Sequence, residues 1–282
     1  MIKFSVSKLR SLAIGLFLIA TLNSFSQEAV SPNEETIYKQ IDTVKLKMVI
    51  YNPTDFKTSD KHPAFVFFFG GGWNKGNVNQ FKGFAQHYAS KGMVAILVDY
   101  RVKTRQGTTP FESLKDAKSA IRYVRKNAGT LGIDPQRIVA SGGSAGGHLA
   151  AACFTNETIN EEGDDLSVNA KPNALVLLNP VIDNSKDGYG YDRVGERYLE
   201  FSPLHNIHKG FPPTILFLGT KDKLIPVSTA ELFKQKIVKV GGRCDLVLYD
   251  GQEHSFFNKK IFHDDILIKV DSFLQQISYL DK

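Results

Sequence analysis

Six short apolar runs bounded by Gly, Pro or Asp recur through the chain, and they restrict its fold more than any other feature: AFVFFF (64–69), MVAILV (93–98), RIVA (137–140), ALVLL (174–178), TILFL (214–218) and DLVLY (245–249). A strand with one wet face alternates apolar and polar residues, so unbroken apolar runs read as strands covered on both faces. Between them lie segments of helical length and period. Residues 81–91 carry Phe81, Phe84, Ala85 and Tyr88 on one stripe, with Gly92 as a stop, and 111–127 repeats the pattern through Leu114, Ala117, Ile121 and Val124. Segments 228–240 and 265–277 do the same, while 36–51 alternates and reads as one or two edge strands. Strands alternating with helices predict an α/β fold, a mostly parallel central sheet with helices on both faces. No internal repeat or second domain boundary interrupts this order. The one long irregular stretch, 179–213, reads as a cap or loop over a site.

Composition removes the other classes. With 42% hydrophobic residues, 23 Gly and 2 Cys in 282 residues, disorder, collagen and disulfide scaffolds are excluded, and a core this large folds without a metal. Basic residues number 35 against 29 acidic, but Lys3, Lys8 and Arg10 precede an apolar stretch at 12–22 and small residues at Ser24 and Ser26. That pattern predicts a signal peptide over 1–26, a mature start near Gln27 and a secreted or periplasmic protein comprising one catalytic domain, 27–282. The mature charge falls to +3, which gives no reason to expect a nucleic-acid partner. The apolar stretch is short for a membrane span, so no stable membrane insertion is expected after cleavage. Residues 28–35 read as a loose arm. Cys153 and Cys244 read as free buried thiols.

The chemistry is carried by Gly142-Gly143-Ser144-Ala145-Gly146, placed between the run RIVA and the helical run 147–154. A serine on a tight strand-to-helix turn stands above the carboxyl ends of the strands, where open α/β sheets bind ligands. A serine hydroxyl needs a base, and the base needs an orienting group. His254 alone of the seven histidines follows the last strand in a loop, and the others read as surface residues. Asp222 follows TILFL by four residues and is the leading acid; Asp183, one strand earlier, and Asp250 are alternatives. The glycines after AFVFFF let backbone amides approach a ligand and, with the amide of Ala145, compose an oxyanion hole.

These residues resemble the α/β-hydrolase esterases of the hormone-sensitive-lipase-like type and the related bacterial acetyl and feruloyl esterases. The likeness runs through FFFGGGW, DYR (99–101), the helix around Asp116, LGIDPQRI, SGGSAGGHLA, SPL (202–204), GTKD and GQEHSF. It implies an α/β-hydrolase fold, a nucleophile Ser144 with His254 and Asp222, and oxyanion donors at Gly71, Gly72 and Ala145. Phe69 stands where the family usually has His, and Gly143 where Asp is frequent. The implied activity is carboxylic ester hydrolysis without a cofactor or metal, on a small-molecule or glycan ester. A serine exopeptidase of the same fold and a non-catalytic binding protein are the alternatives. The acids Glu161, Glu162, Asp164 and Asp165 lack calcium-loop spacing and read as a solvated face. Arg101 and Asp116 read as structural charge partners, and Trp73 as either packing or a contact for a substrate ring.

Overall fold

The computed structural model describes residues 32–281. Eight strands form one sheet in the order β1-β2-β4-β3-β5-β6-β7-β8. β1 (Glu34–Ile41) and β2 (Val44–Tyr51) are an antiparallel hairpin at one edge, and β2 also pairs antiparallel with β4 (Val94–Val98). From β4 onward every pairing is parallel, through β3 (His62–Phe68), β5 (Ile133–Gly143), β6 (Ala174–Leu178), β7 (Thr214–Gly219) and β8 (Cys244–Tyr249).

The reason for the unbroken apolar runs is visible in the two cores. Successive side chains of a strand point to opposite faces. In β3, Ala64, Val66 and Phe68 enter one core while Phe65 and Phe67 enter the other; in β6, Leu175 and Leu177 oppose Val176 and Leu178. The first core is covered by α3 (Pro110–Lys126), α4 (Ala145–Thr155) and α7 (Val227–Lys239), the second by α1 (Lys82–Ser90) and α8 (Lys260–Gln276). Three single-turn helices complete the set: α2 (Lys103–Gln106), α5 (Tyr191–Val194) and α6 (Tyr198–Phe201). α3 begins with a Thr109–Glu112 capping box and Pro at its first turn, which together satisfy and preset its N-terminus.

Three expectations need correction. Glu34 and Glu35, read as part of a loose arm, pair with Ile50 and Val49, because the antiparallel edge offers their backbone a ladder whatever their side chains. The strand read as 137–140 runs to Gly143: Ser141 and Gly142 are poor strand formers, but β3 and β6 pair with them from both sides. The acids at 161–165 are not simply a solvated face, since Glu161 pairs with Lys39 and Arg101, and Asp164 with Arg122. The predicted signal peptide lies outside the described residues. Among those residues, no helix is long and apolar enough to cross a membrane.

Candidate active site

β5 ends at Gly143 and α4 starts at Ala145, so Ser144 makes the whole turn. Its backbone sits at φ 55°, ψ −119°, a region that residues with a Cβ seldom adopt and that costs about 1–3 kcal/mol. Neighbours hold it there: the Ser144 N–H donates to Leu178 O (3.0 Å), and its carbonyl accepts from the N–H groups of His148 (3.0 Å) and Val181 (3.1 Å). The turn is also sterically exclusive. A Cβ on Gly146 would lie 2.0 Å from Phe68 O, so α4 can start this close to β3 only with glycine there.

His254 and Asp222 reach the same point from the loops after β8 and β7. The Ser144 hydroxyl lies 2.9 Å from His254 Nε2, and His254 Nδ1 lies 2.7 Å from Asp222 Oδ2. The other oxygen of Asp222 accepts from the N–H groups of Leu224 (2.8 Å) and Ile225 (3.0 Å), and its side chain is fully buried. A carboxylate fixed at both oxygens holds the imidazole in one orientation, with Nδ1 as donor and Nε2 facing the serine. Asp183 instead accepts from the N–H of Ser185, and Asp250 from the hydroxyl of Thr220; neither touches His254.

Asn179, which sequence reasoning missed, closes the arrangement. Buried at the end of β6 with φ 35°, it accepts from the N–H of Ser255 through Oδ1 (3.1 Å), while its Nδ2 lies 3.4 Å from His254 Nε2. It therefore ties the histidine loop to the strand beside Ser144. The only trace in the sequence is Asn-Pro directly after ALVLL, an ordinary strand-end signal.

The glycine loop after β3 runs alongside. A Cβ on Gly70 would lie 3.5 Å from Ser144 Cβ, which sets the distance of approach. Gly71 O accepts from Asn74 N–H (3.1 Å) and Lys75 N–H (3.2 Å), and no described peptide bond is cis, so the N–H of Gly72 points away from that turn. Gly71 itself needs glycine, because at φ 123° a Cβ would lie 2.0 Å from Lys75 O. Among the described residues, none of the N–H groups of Gly71, Gly72 and Ala145 has a protein acceptor. Phe69 supports the loop: its ring stacks on Tyr100 at 4.0 Å, and its carbonyl accepts the Tyr100 hydroxyl at 2.5 Å.

Of the remaining histidines, His148 departs most from a surface reading. It is fully buried against Phe201 and Trp73, with Nε2 3.1 Å from Phe201 O, and burial pushes its imidazole down to about 3. It stays neutral at ordinary pH. Trp73 is 1% exposed among His148, Tyr189 and Phe201, so its ring is packing rather than a platform for a substrate. The 179–213 segment covers this side of the site, and Arg193 from it donates to Gly72 O at 2.6 Å. Cys153 and Cys244 are free and buried. A hollow of about 710 Å³ between α7 and β8 has none of the site residues in its wall.

A hydroxyl in line with an imidazole and a carboxylate, beside unpartnered amides, is equipped to attack a carbonyl carbon and hold the oxyanion that results. Comparison with known proteins places it. Residues 48–187 match the BD-FAE family and 189–280 the dienelactone hydrolase family. Esterase 2 of Thermogutta terrifontis, whose structure is described as phosphoramylated by tabun, is 42% identical with a TM-score of 0.85, over 88% of this chain and 96% of that one. A probable isoprenylcysteine alpha-carbonyl methylesterase of Arabidopsis thaliana is 28% identical over 87% of this chain and 57% of its own length. Endo-1,4-beta-xylanase B of Butyrivibrio fibrisolvens is 25% identical over 53% of this chain and 25% of its own. The chain thus spans little more than half the length of the curated relatives it matches first. With the fold, the Ser144 turn and a solved esterase agreeing along nearly the whole described chain, the protein belongs to the α/β-hydrolase serine esterase family of the hormone-sensitive-lipase-like type.

Proposed function

We propose that this protein hydrolyses short-chain carboxylic esters through an acyl-enzyme, with Ser144 as nucleophile. The observation that carries the reading is the unbroken line from Asp222 Oδ2 through His254 to Ser144 Oγ, in steps of 2.7 and 2.9 Å. Ser144 Oγ attacks the ester carbonyl as His254 Nε2 takes its proton, and the Asp222 carboxylate stabilises the imidazolium. The carbonyl oxygen, now negative, accepts from the N–H groups of Gly71, Gly72 and Ala145. Collapse expels the alcohol, which leaves with the proton from His254. Water then attacks the acyl-Ser144 carbonyl, giving its proton to His254, and the carboxylic acid departs as the serine is reprotonated.

Short acyl groups are supported by the related Thermogutta terrifontis esterase, for which propionate-bound and butyrate-bound structures exist. That this esterase is phosphorylated by paraoxon and phosphoramylated by tabun supports an activated nucleophile. The biological esters proposed are acetyl or feruloyl groups on polysaccharide outside the cytoplasm. The signal-like N-terminus supports that location, and the xylanase relative supports the glycan.

The test is a series of p-nitrophenyl esters from acetate to octanoate, with acetylated and feruloylated xylan alongside, for the wild type and Ser144→Ala. Turnover should peak at the short acyl chains and fall by roughly 10⁴ to 10⁶ in Ser144→Ala at unchanged melting temperature. Wild-type turnover in a folded Ser144→Ala protein would remove the reading. N-terminal sequencing of the exported protein checks location, and a chain retained uncut in the cytoplasm would refute export.

A further inference from the structure

A cavity of about 470 Å³ opens beside the glycine loop, between α2, the start of α3 and the turn that carries α5, with Gly72, Trp73, Lys103, Thr108, Asp192 and Arg193 in its wall. Gly72 belongs both to this wall and to the glycine loop, whose Gly70 lies beside Ser144.

The charged groups of the wall are mostly cationic donors, beside the neutral Asn74, Thr108 and Thr109. Lys103, Arg193 and the indole N–H of Trp73 only donate. Trp73 Nε1 and Thr108 Oγ1 are buried without a protein partner, although buried polar groups nearly always have one. Arg193 spends one donor on Gly72 O and keeps others free for an occupant. The single acid, Asp192, lies 3.6 Å from Arg193 Nε with its side chain 76% exposed, leaving two cations against one carboxylate.

Resting on the esterase reading above, we infer that this cavity is a subsite for a carboxylate carried by the ester, so that the enzyme prefers acidic esters, such as those of uronate-bearing glycans or dicarboxylic half-esters, over their neutral counterparts. A carboxylate brings acceptors only, which is what these unpartnered donors lack.

Two ester pairs that differ in charge test it: p-nitrophenyl hemiglutarate against p-nitrophenyl butyrate for a carboxylate on the acyl side, and acetylated glucuronic acid against acetylated glucose for one on the alcohol side. The readout is the acidic-to-neutral ratio of kcat/KM in wild type and in Lys103→Gln. One pair should favour the acidic member by about fivefold, the ratio should fall toward unity in Lys103→Gln, and 0.5 M salt should erode it in the wild type. The pair that responds assigns the subsite to the acyl or the alcohol side. Ratios at or below one in both pairs, or a preference untouched by Lys103→Gln, would overturn the subsite while leaving the esterase reading intact. Failure to turn over even the neutral esters would instead overturn the esterase reading, and the subsite with it.

Discussion

Two buried polar constellations stand in this molecule, and only one has the makings of a site. Around Asp116 every valence is used: Oδ2 accepts from the Arg101 N–H (2.9 Å) and Nε (2.8 Å), and Oδ1 from Arg101 Nη2 (2.8 Å) and Lys39 Nζ (2.7 Å). Glu161 pairs with both Lys39 and Arg101, so α3, β1 and the loop at 157–165 are fastened together. Around Ser144 the inner half is equally closed, with Asp222 fully satisfied, but the outer half is open. The His254 side chain is 18% exposed, and the three neighbouring amides have no acceptor among the described residues. Charge and burial alone therefore do not mark an active site. What marks it is hydrogen-bonding capacity left unspent and aimed where a substrate can enter.

The contrast predicts opposite phenotypes for two buried aspartates. Asp222→Asn should cut turnover by up to about 10⁴, because an amide removes the charge beneath the imidazolium and favours the wrong tautomer, while thermal stability shifts little. Asp183→Asn, without contact to His254, should leave steady-state kinetics nearly unchanged; the reverse result would transfer the acid's role to Asp183. Asp116→Asn should do the opposite of Asp222→Asn. Leaving Arg101 and Lys39 short of a counter-charge costs about 3–5 kcal/mol, which calorimetry should read as a melting temperature lower by roughly 10 °C. Turnover of the folded fraction should stay within about threefold, and a large loss in kcat would make the network part of the site.

Between these extremes lies the glycine loop, where only geometry can be attacked. Gly71→Val forces a branched Cβ into Lys75 O and displaces a proposed oxyanion donor, for an expected loss of about 10² to 10³ in kcat with KM changed less. Full turnover in that variant on a short acyl ester would reduce the loop to packing.

The smallest effect separates the two regions by pH. Burial acts to raise the Glu161 carboxyl, but the hydrogen bonds and charges of Lys39 and Arg101 outweigh it and hold the group below its ordinary value of 4.5. A depressed carboxyl contributes stability above its unfolded value and loses it as the pH falls through the folded one. The stability gap between wild type and Glu161→Gln, about 1 kcal/mol at pH 6, should therefore shrink below pH ~4.5 in urea titrations. A gap that widened there would assign the acid sensitivity elsewhere.

Much of this was legible residue by residue. The buried strands announced themselves because a strand covered on both faces has no polar positions, and α3 through the apolar stripe of Leu114, Ala117, Ile121 and Val124. The Arg101–Asp116 pair was also expected and is present. Less legible were Ser141 and Gly142, whose strand conformation is imposed by neighbours, and Glu161 and Asp164, whose cations come from β1, α3 and the loop after β4. His148 looked like any other histidine until Trp73 and Phe201 were packed over it.

By itself the sequence determined the backbone chemistry of the glycine loop, because steric exclusion at Gly71 acts against Lys75, four residues on, whereas at Gly146 it acts against Phe68 O on β3 and belongs to the tertiary structure. It also determined the layered α/β plan, since apolar periodicity is a property of each segment alone. Which acid faces His254 was decided only in three dimensions. Chain order ranked Asp222 ahead of Asp183 and Asp250, but contact with the histidine needs the sheet: the order of β6, β7 and β8 brings the turn after β7 under the loop after β8 and leaves the other two acids facing elsewhere. The tertiary structure likewise selected Asn179 and the donor-lined cavity beside Gly72, because each gathers groups from segments far apart in the chain.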